Sequence, residues 1–394
     1  MNNKKPVLAF SALCAAAVVA VGGYLYHAKQ RLPPAGGSAA SAVTAPEPTA
    51  TAALPAAPAA STLATALPPT DSADAAAHPP AAAPAATPTR PAPTVASASS
   101  ATGRLFFRHT GMDEHYGQLA WREAARGGEA HFVAHLRCEV AHVSGGRGMC
   151  LTAERGVVTT YSAKLFDATT FAVTAELPLQ GIPSRTRVSR DGRLAAYTVF
   201  AAGHGYTSLD FATRTVILDT ATGRELLELE NLAITKDGQP FKAKDFNFWG
   251  VTFTPDGKNF FATLSSGGQH YLLRGDIARR SATVLHDNVE CPSVSPDATR
   301  VAYKKRYVVD GRIVWQFHVL DLKTLVETPL AEKRNVDDQI EWLDDAHVLY
   351  ALASDSAAAS TDVWTAPIDG KGAPSLYLRN AYSPATERFP KPAP

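Results

Sequence analysis

Phe253-Thr254-Pro255-Asp256-Gly257-Lys258-Asn259-Phe260-Phe261-Ala262 decides how the rest of the chain is read. Proline sets φ in advance, aspartate closes a turn with its side chain, and glycine accepts the positive φ that ends it. The apolar run after the turn is then the second strand of a hairpin. The same phrase returns as Val188-Ser189-Arg190-Asp191-Gly192-Arg193-Leu194-Ala195-Ala196-Tyr197, as Val294-Ser295-Pro296-Asp297-Ala298-Thr299-Arg300-Val301-Ala302-Tyr303, and as Trp342-Leu343-Asp344-Asp345-Ala346-His347-Val348-Leu349-Tyr350. A weaker copy is Val143-Ser144-Gly145-Gly146-Arg147-Gly148-Met149-Cys150-Leu151. From Ser144 to Ser189, Thr254, Ser295 and Leu343 the steps are 45, 65, 41 and 48 residues. Periods in the forties, with four short strands in each, mark propeller blades. The long step carries an insertion at 231–247. Its Lys236, Phe241, Lys242, Lys244 and Phe246 read either as an amphipathic recognition loop or as plain variation in blade length.

Two further strand-like segments follow each hairpin: 162–166 and 173–178, 213–218 and 225–230, 270–277 and 282–286, 314–320 and 325–329, and 361–366 and 374–378. No long segment with a 3.6-residue period interrupts them, so the region is all-β. Three strands, 104–109, 115–122 and 129–135, precede the first repeat and lack an innermost partner. Only Asn380-Ala381-Tyr382-Ser383-Pro384 is left at the other end to supply it. Closing the ring in this way removes exposed sheet edges. The repeats therefore predict an all-β, six-bladed β-propeller closed by the C-terminal strand.

That propeller, 103–394, holds 30 of the 33 aromatic residues and balances 33 Lys+Arg against 34 Asp+Glu. Nucleic-acid binding by phosphate neutralisation calls for a strongly basic surface, so that class is excluded. In residues 33–102, by contrast, 58 of 70 positions are Ala, Pro, Thr or Ser and none is aromatic. Such a stretch buries too little apolar surface to offset its ordering entropy and reads as disordered. As a coil it reaches about 45 Å, and in polyproline II about 215 Å. Residues 6–26 carry no charge over 21 positions. A helix of that length spans about 32 Å, the thickness of a bilayer core. Lys4 and Lys5 ahead of it favour a cytoplasmic N-terminus and an exported C-terminal side. The plan is a cytoplasmic 1–5, a transmembrane signal anchor 6–26, a tether 27–102 and the propeller. The competing reading cleaves a signal peptide at Val18-Val19-Ala20 and leaves a secreted or periplasmic protein. In an exported protein thiols oxidise. The hairpin turn pairs Cys150 with a residue near Ala141, so a Cys138–Cys150 bridge requires a shifted register. Cys291 reads as buried.

The Ser-Pro-Asp-Gly-Lys/Arg…Ala-Tyr/Phe hairpins resemble the blades of the TolB-type six-bladed propeller. The resemblance covers 103–394 and is strongest from Asp245 onward. Asp245-Phe246-Asn247-Phe248-Trp249-Gly250-Val251-Thr252-Phe253, Asn288-Val289-Glu290-Cys291-Pro292-Ser293-Val294 and Val336-Asp337-Asp338-Gln339-Ile340-Glu341-Trp342 look like segments of bacterial exported TolB-like proteins. The resemblance implies a non-enzymatic envelope protein whose propeller binds a partner. TolB proteins carry an α/β domain before the propeller and work with a peptidoglycan-associated lipoprotein. Here an apolar segment and a tether stand in that place, which argues against membership of the same assembly.

Propeller ligands usually sit at the mouth of the central channel, where the chain enters each innermost strand. Those entries are Glu139, Arg185 through Arg187, Asp245 through Trp249, Glu290-Cys291, Asp337 through Gln339, and Tyr382. Lys304-Lys305-Arg306 follow an inner hairpin and are expected on the same face, or else read as a solvated strand end. Asp245, Asn247, Phe248, Trp249, Glu290, Asp337, Asp338, Gln339, Arg187, Lys304 and Lys305 are the candidate binding residues. Trp249 supplies an aromatic contact, while Asn247, Glu290, Asp338 and Gln339 supply hydrogen bonds. A mixed ring of this kind suits a protein partner in the envelope, or a peptide or glycan; alternatively its groups pair with one another as a solvated rim. No cofactor or metal is expected: His131 and His135 on a strand stand roughly 13 Å apart, and the other histidines are scattered. No Gly-x-Ser-x-Gly elbow, phosphate-binding loop or His-Glu-x-x-His occurs. The leading reading is a non-catalytic interaction scaffold held at the inner membrane. The runner-up is a small-ligand or glycan sensor. A carboxylate-dependent lyase or hydrolase built on Glu290, Asp337 and Asp338 comes third.

Overall fold

The computed structural model describes residues 103–124, 128–201, 212–357 and 359–388. The apolar segment 6–26 and the tether lie outside the described residues. Six antiparallel meanders follow one another around a ring. In the first, Ala381–Arg388 is innermost, followed outward by Gly103–His109, Gln118–Glu123 and His131–Arg137. The second runs Val140–Ser144, Arg147–Glu154, Thr160–Asp167 and Val173–Leu179, and the third Gly181–Val188, Leu194–Ala201, Thr213–Asp219 and Glu225–Glu228. The fourth opens with Asn247–Phe253, Asn259–Ser266, Gln269–Asp276 and Ser281–Asp287. The fifth is Glu290–Val294, Arg300–Val309, Arg312–Asp321 and Glu327–Pro329; the sixth is Glu341–Trp342, His347–Ala353, Thr361–Pro367 and Ser375–Leu378. The C-terminal strand closes the ring as expected. It runs further than the five-residue tail foreseen, pairing from His109↔Ala381 and Arg108↔Tyr382 to Gly103↔Arg388. Each innermost strand leads from one face of the ring, here the entry face, to the opposite exit face.

The repeated turns lie on the exit face, and their chemistry is a small hydrogen-bonded device. Ser189 donates to Asp191 at 2.6 Å, Thr254 to Asp256 at 2.6 Å and Ser295 to Asp297 at 2.5 Å. The same hydroxyls accept the backbone N–H of Leu194, Asn259 and Arg300. Gly192 and Gly257 take φ of 71° and 64°, and Ala298 tolerates 57° in the third copy. The tyrosine that ends the phrase is fully buried as Tyr197, Tyr303 and Tyr350. Tyr197 donates to Glu225 at 2.8 Å and Tyr350 to Glu332 at 2.6 Å, which satisfies a hydroxyl taken out of water. The core fills the spaces between neighbouring blades: Phe248, Phe253, Phe260 and Leu264 of the fourth pack on Ala196 and Ile217 of the third.

The insertion at 231–247 is no free loop. Ala233–Lys236 and Gln239–Phe241 extend the outer edge of the fourth sheet, the first pairing parallel to Ser281–Asp287. Lys236 Nζ sits 4.3 Å from the Tyr271 ring there, far out from the channel. Cys138 and Cys150 form a disulfide although Cys150 pairs with Ala141, the unshifted register. Cys138 stands just outside the strand Val140–Ser144. Its N–H reaches Gly117 O and the Glu139 N–H reaches Leu151 O, which brings the two cysteine Cα atoms to 5.3 Å. Cys291 is buried with a free thiol.

Candidate functional site

Side chains two apart on a strand share a face, so Arg185 and Arg187 both point from the innermost strand of the third blade into the channel. Each forms one layer of a polar plug. In the lower layer Arg187 ion-pairs with Glu341 of the sixth blade, donates to Ser293 Oγ of the fifth at 3.2 Å and to Ile340 O at 2.9 Å. Glu341 also accepts the N–H and hydroxyl of Thr386 on the closing strand, at 3.1 and 2.9 Å. His142 of the second blade accepts the Val188 N–H through Nδ1 at 3.1 Å and places Nε2 at 3.5 Å from Glu341. Burial works against the charge on Glu341, yet Arg187 and then His142 hold its carboxyl far below the ordinary range. Burial, reinforced by Arg187, lowers the pKa of His142. Below this layer, towards the exit face, lies a cavity of about 100 Å³ lined by Ser144, Ser189, Thr252 and Thr386 among others.

The upper layer joins Arg185, Asp337 and Lys304. Arg185 Nη2 lies 3.5 Å from Asp337 Oδ1, and Lys304 ion-pairs with the same oxygen. Burial opposes ionisation of Asp337, but Lys304 and Arg185 outweigh it and lower the carboxyl pKa. Asp337 is only partly shielded, its side chain keeping 43% exposure at the mouth. Its neighbour Asp338 is buried and accepts the Ala351 N–H at 2.7 Å; loss of solvent raises its pKa against the pull of Arg185. Gln339 spans to Val251 O at 3.4 Å.

Several foreseen contact residues hold the fold instead of facing the mouth. Phe248 is 0% exposed and packs edge-on to Phe246 between blades. Trp249, also buried, lies edge-on to His270 at 5.6 Å. Neither ring presents a face to solvent, because successive residues of an innermost strand alternate between the packed spaces on either side. Asp245 closes the Ser266-Gly267 turn at 2.7 and 2.6 Å, and Asn247 Oδ1 accepts the Thr213 N–H at 2.8 Å, tying the third blade to the fourth. Glu290 is buried and accepts Trp315 Nε1 at 2.8 Å. Arg187 lies within the plug. Lys305 points to the opposite side of its strand from Lys304 and pairs with Glu327, away from the mouth. His142, Ser293, Glu341 and Thr386 were not singled out as site residues, and Arg185 was named only among the channel entries. Their shared signal is a polar residue within an innermost strand that should be apolar, once on each of several blades. Among the described residues no cluster of three His, Cys, Asp or Glu side chains is placed to hold a metal ion.

The exposed apolar side chains divide unequally between the two faces. The turns after the second strand of a blade lie on the entry face. They carry Met112 and Tyr116 in the first blade, Val157 and Val158 in the second, and Val308, Val309 and Ile313 in the fifth. Ile182 joins them at the start of an innermost strand. The exit side carries Val173, Leu325 and Val326.

No protein-family model matches the chain, and no curated protein matches it. Among solved structures, TolB from Acinetobacter baumannii superposes with a TM-score of 0.52 at 18% identity, over 73% of this chain and 67% of that one. A TolB-type protein of Agrobacterium tumefaciens gives 0.44 at 11% identity, over 74% of this chain and 100% of the other. A prolyl endopeptidase gives 0.39 at 11%, over 71% and 42%. At these identities the likeness is one of fold, and only the first superposition is close enough to weigh. The described residues form a TolB-like six-bladed β-propeller.

Proposed function

We propose that this is a non-catalytic protein-binding module of the bacterial cell envelope, anchored by segment 6–26, held off by the tether, and docking its partner on the entry face. The concentration of exposed apolar side chains on that face carries the reading, since patches of this kind mark interaction surfaces. The channel supports it: crossed by two arginine layers, it offers a partner a charged floor at Asp337. The carboxylates that suggested acid–base chemistry are committed to other work, Glu290 to Trp315, Asp338 to Ala351 and Asp337 to two cations. The Cys138–Cys150 disulfide agrees with an exported, oxidising location.

Photo-crosslinking in cells tests this, with a benzophenone side chain at Gln339 or Val157 on the entry face and at Leu325 on the exit face. Protein adducts are expected from the first two positions and fewer from the third. Adducts of equal yield from all three would overturn the assignment of the face.

A second reading, a small-ligand sensor, draws on the polar cavity below Arg187. A thermal shift with a cell-wall fragment or a sugar, abolished by Ser293→Leu, supports it; a flat response across such a panel removes it.

A further inference from the structure

The fifth blade carries a feature that its neighbours lack. Arg300–Val309 and Arg312–Asp321 are ten residues each and stay paired out to Val309↔Arg312, closed by an Asp310-Gly311 turn with φ of 50° and 73°. The flanking strands stop much lower. Pairing to the innermost strand ends at Glu290↔Lys304, and pairing to the outermost covers His318 through Leu320. The upper half therefore rises from the entry face as a two-stranded arm.

Two asparagines finish its base. Asn288 receives the Arg306 N–H at 3.0 Å and donates to Arg306 O at 2.9 Å, standing in for the strand that has ended. On the other edge Asn335 accepts the Trp315 N–H at 2.8 Å and Val336 N–H reaches Trp315 O at 3.2 Å. Arg306 and Trp315 are directly opposed and turn their backbone groups outward. Opposed pairs in an antiparallel ladder repeat this orientation every second residue. The next such pair is Val308↔Ile313, and among the described residues nothing bonds its outward N–H and C=O groups. The same two side chains are 70% and 40% exposed, and Val309 is 52% exposed. A lone two-stranded hairpin is marginal in water, and an uncovered apolar edge is a feature proteins normally blunt.

Charge indicates what covers it. Lys304 and Lys305 at the base are matched by Asp337 and Glu327. Higher up, Arg306 and Arg312 have no ion-pair partner among the described residues, and Asp310 is the one carboxylate in the 306–313 stretch. We propose that an extended segment of a partner protein, bearing apolar side chains and a carboxylate, adds as a β-strand along the Val308 edge, beyond the point where Asn288 caps the backbone of Arg306. That edge lies on the inner-strand side, above Glu290–Val294. Backbone hydrogen bonds supply the affinity, and Val308, Ile313 and Arg306 select the side chains. This deepens the function proposed above and rests on it.

The test places the benzophenone side chain at Ile313 of the full chain in its own membrane. The expected adduct maps to one partner segment in which apolar residues alternate and a carboxylate is present. Val308→Pro removes the outward N–H at an edge position where proline is tolerated, and should lower the adduct about tenfold. Arg306→Glu, which leaves the backbone intact, should lower it severalfold. Melting temperatures equal to the parent's confirm that the variants fold. Adducts to lipid or to a second copy of this chain overturn the proposal, as does survival of the adduct in Val308→Pro. Capture at Gln339 with none at Ile313 overturns strand addition and leaves the binding function standing; absence of adducts at both positions overturns both.

Discussion

Arg187 and Glu341 are ion-paired across the axis of the propeller, from the third blade to the sixth, which face one another in the ring. With Ser293, Thr386 and His142 they bind five blades' worth of innermost strand into one polar knot. Removing one partner of a buried ion pair leaves the other charge uncompensated. Arg187→Met should therefore cost about 3–5 kcal/mol in urea unfolding, while Arg187→Met combined with Glu341→Gln should recover most of it. Additive losses in the double variant would show that the two residues stabilise the ring independently.

Glu230 gives a pH signature. It accepts the Thr215 N–H on both oxygens, but burial dominates and pushes its carboxyl up to about 7 from the ordinary 4.5. Between those values the folded state holds a proton that the unfolded chain has released. Stability from this group is thus complete below about pH 4.5 and lost as pH rises through 7. Glu230→Gln should gain on the parent by about 2–3 kcal/mol between pH 5 and pH 8. Parallel melting curves at the two pH values would contradict the assignment.

The disulfide joins the outer edge of the first blade to the inner hairpin of the second, near the seam where the ring closes. Closing a loop of this size contributes about 3 kcal/mol in the chain-entropy description. Cys138→Ser with Cys150→Ser should lower the unfolding free energy by that order, and peptide mapping without reductant should recover the linked pair. Free thiols at both positions in protein taken from cells would argue against an oxidising location.

The blades were legible because their turns are local. Ser189, Thr254 and Ser295 each need only an aspartate two residues on, so the pattern survives in the sequence. A second device was equally readable. Asp167, Asp219 and Asp321 close the turn before the outermost strand of the second, third and fifth blades by accepting from Thr170, Thr222 and Thr324. The ring count followed from these periods and from the lack of a partner for Gly103–His109. The site was less legible, since facing the channel is a property of register, and register shifts on the innermost strands. The pairing slips between Pro183 and Arg185, between Trp249 and Thr252, and between Glu290 and Ser293. Each slip changes which side chain meets the axis. It put Arg185 and Arg187 into the channel, while Trp249 stayed packed. The Arg187–Glu341 pair, 154 residues apart, has no local signal at all.

Hydroxyl-radical footprinting tests binding on the entry face most directly, by comparing the full chain inside cells with the same chain after purification. Met112 and Tyr116, both reactive and both exposed, should be protected severalfold in cells together with Val157 and Val308, while Leu325 and Val326 on the exit side label equally in both states. Equal labelling of Met112 and Tyr116 in cells and in isolation, or protection confined to Leu325 and Val326, would contradict a partner docked on the entry face.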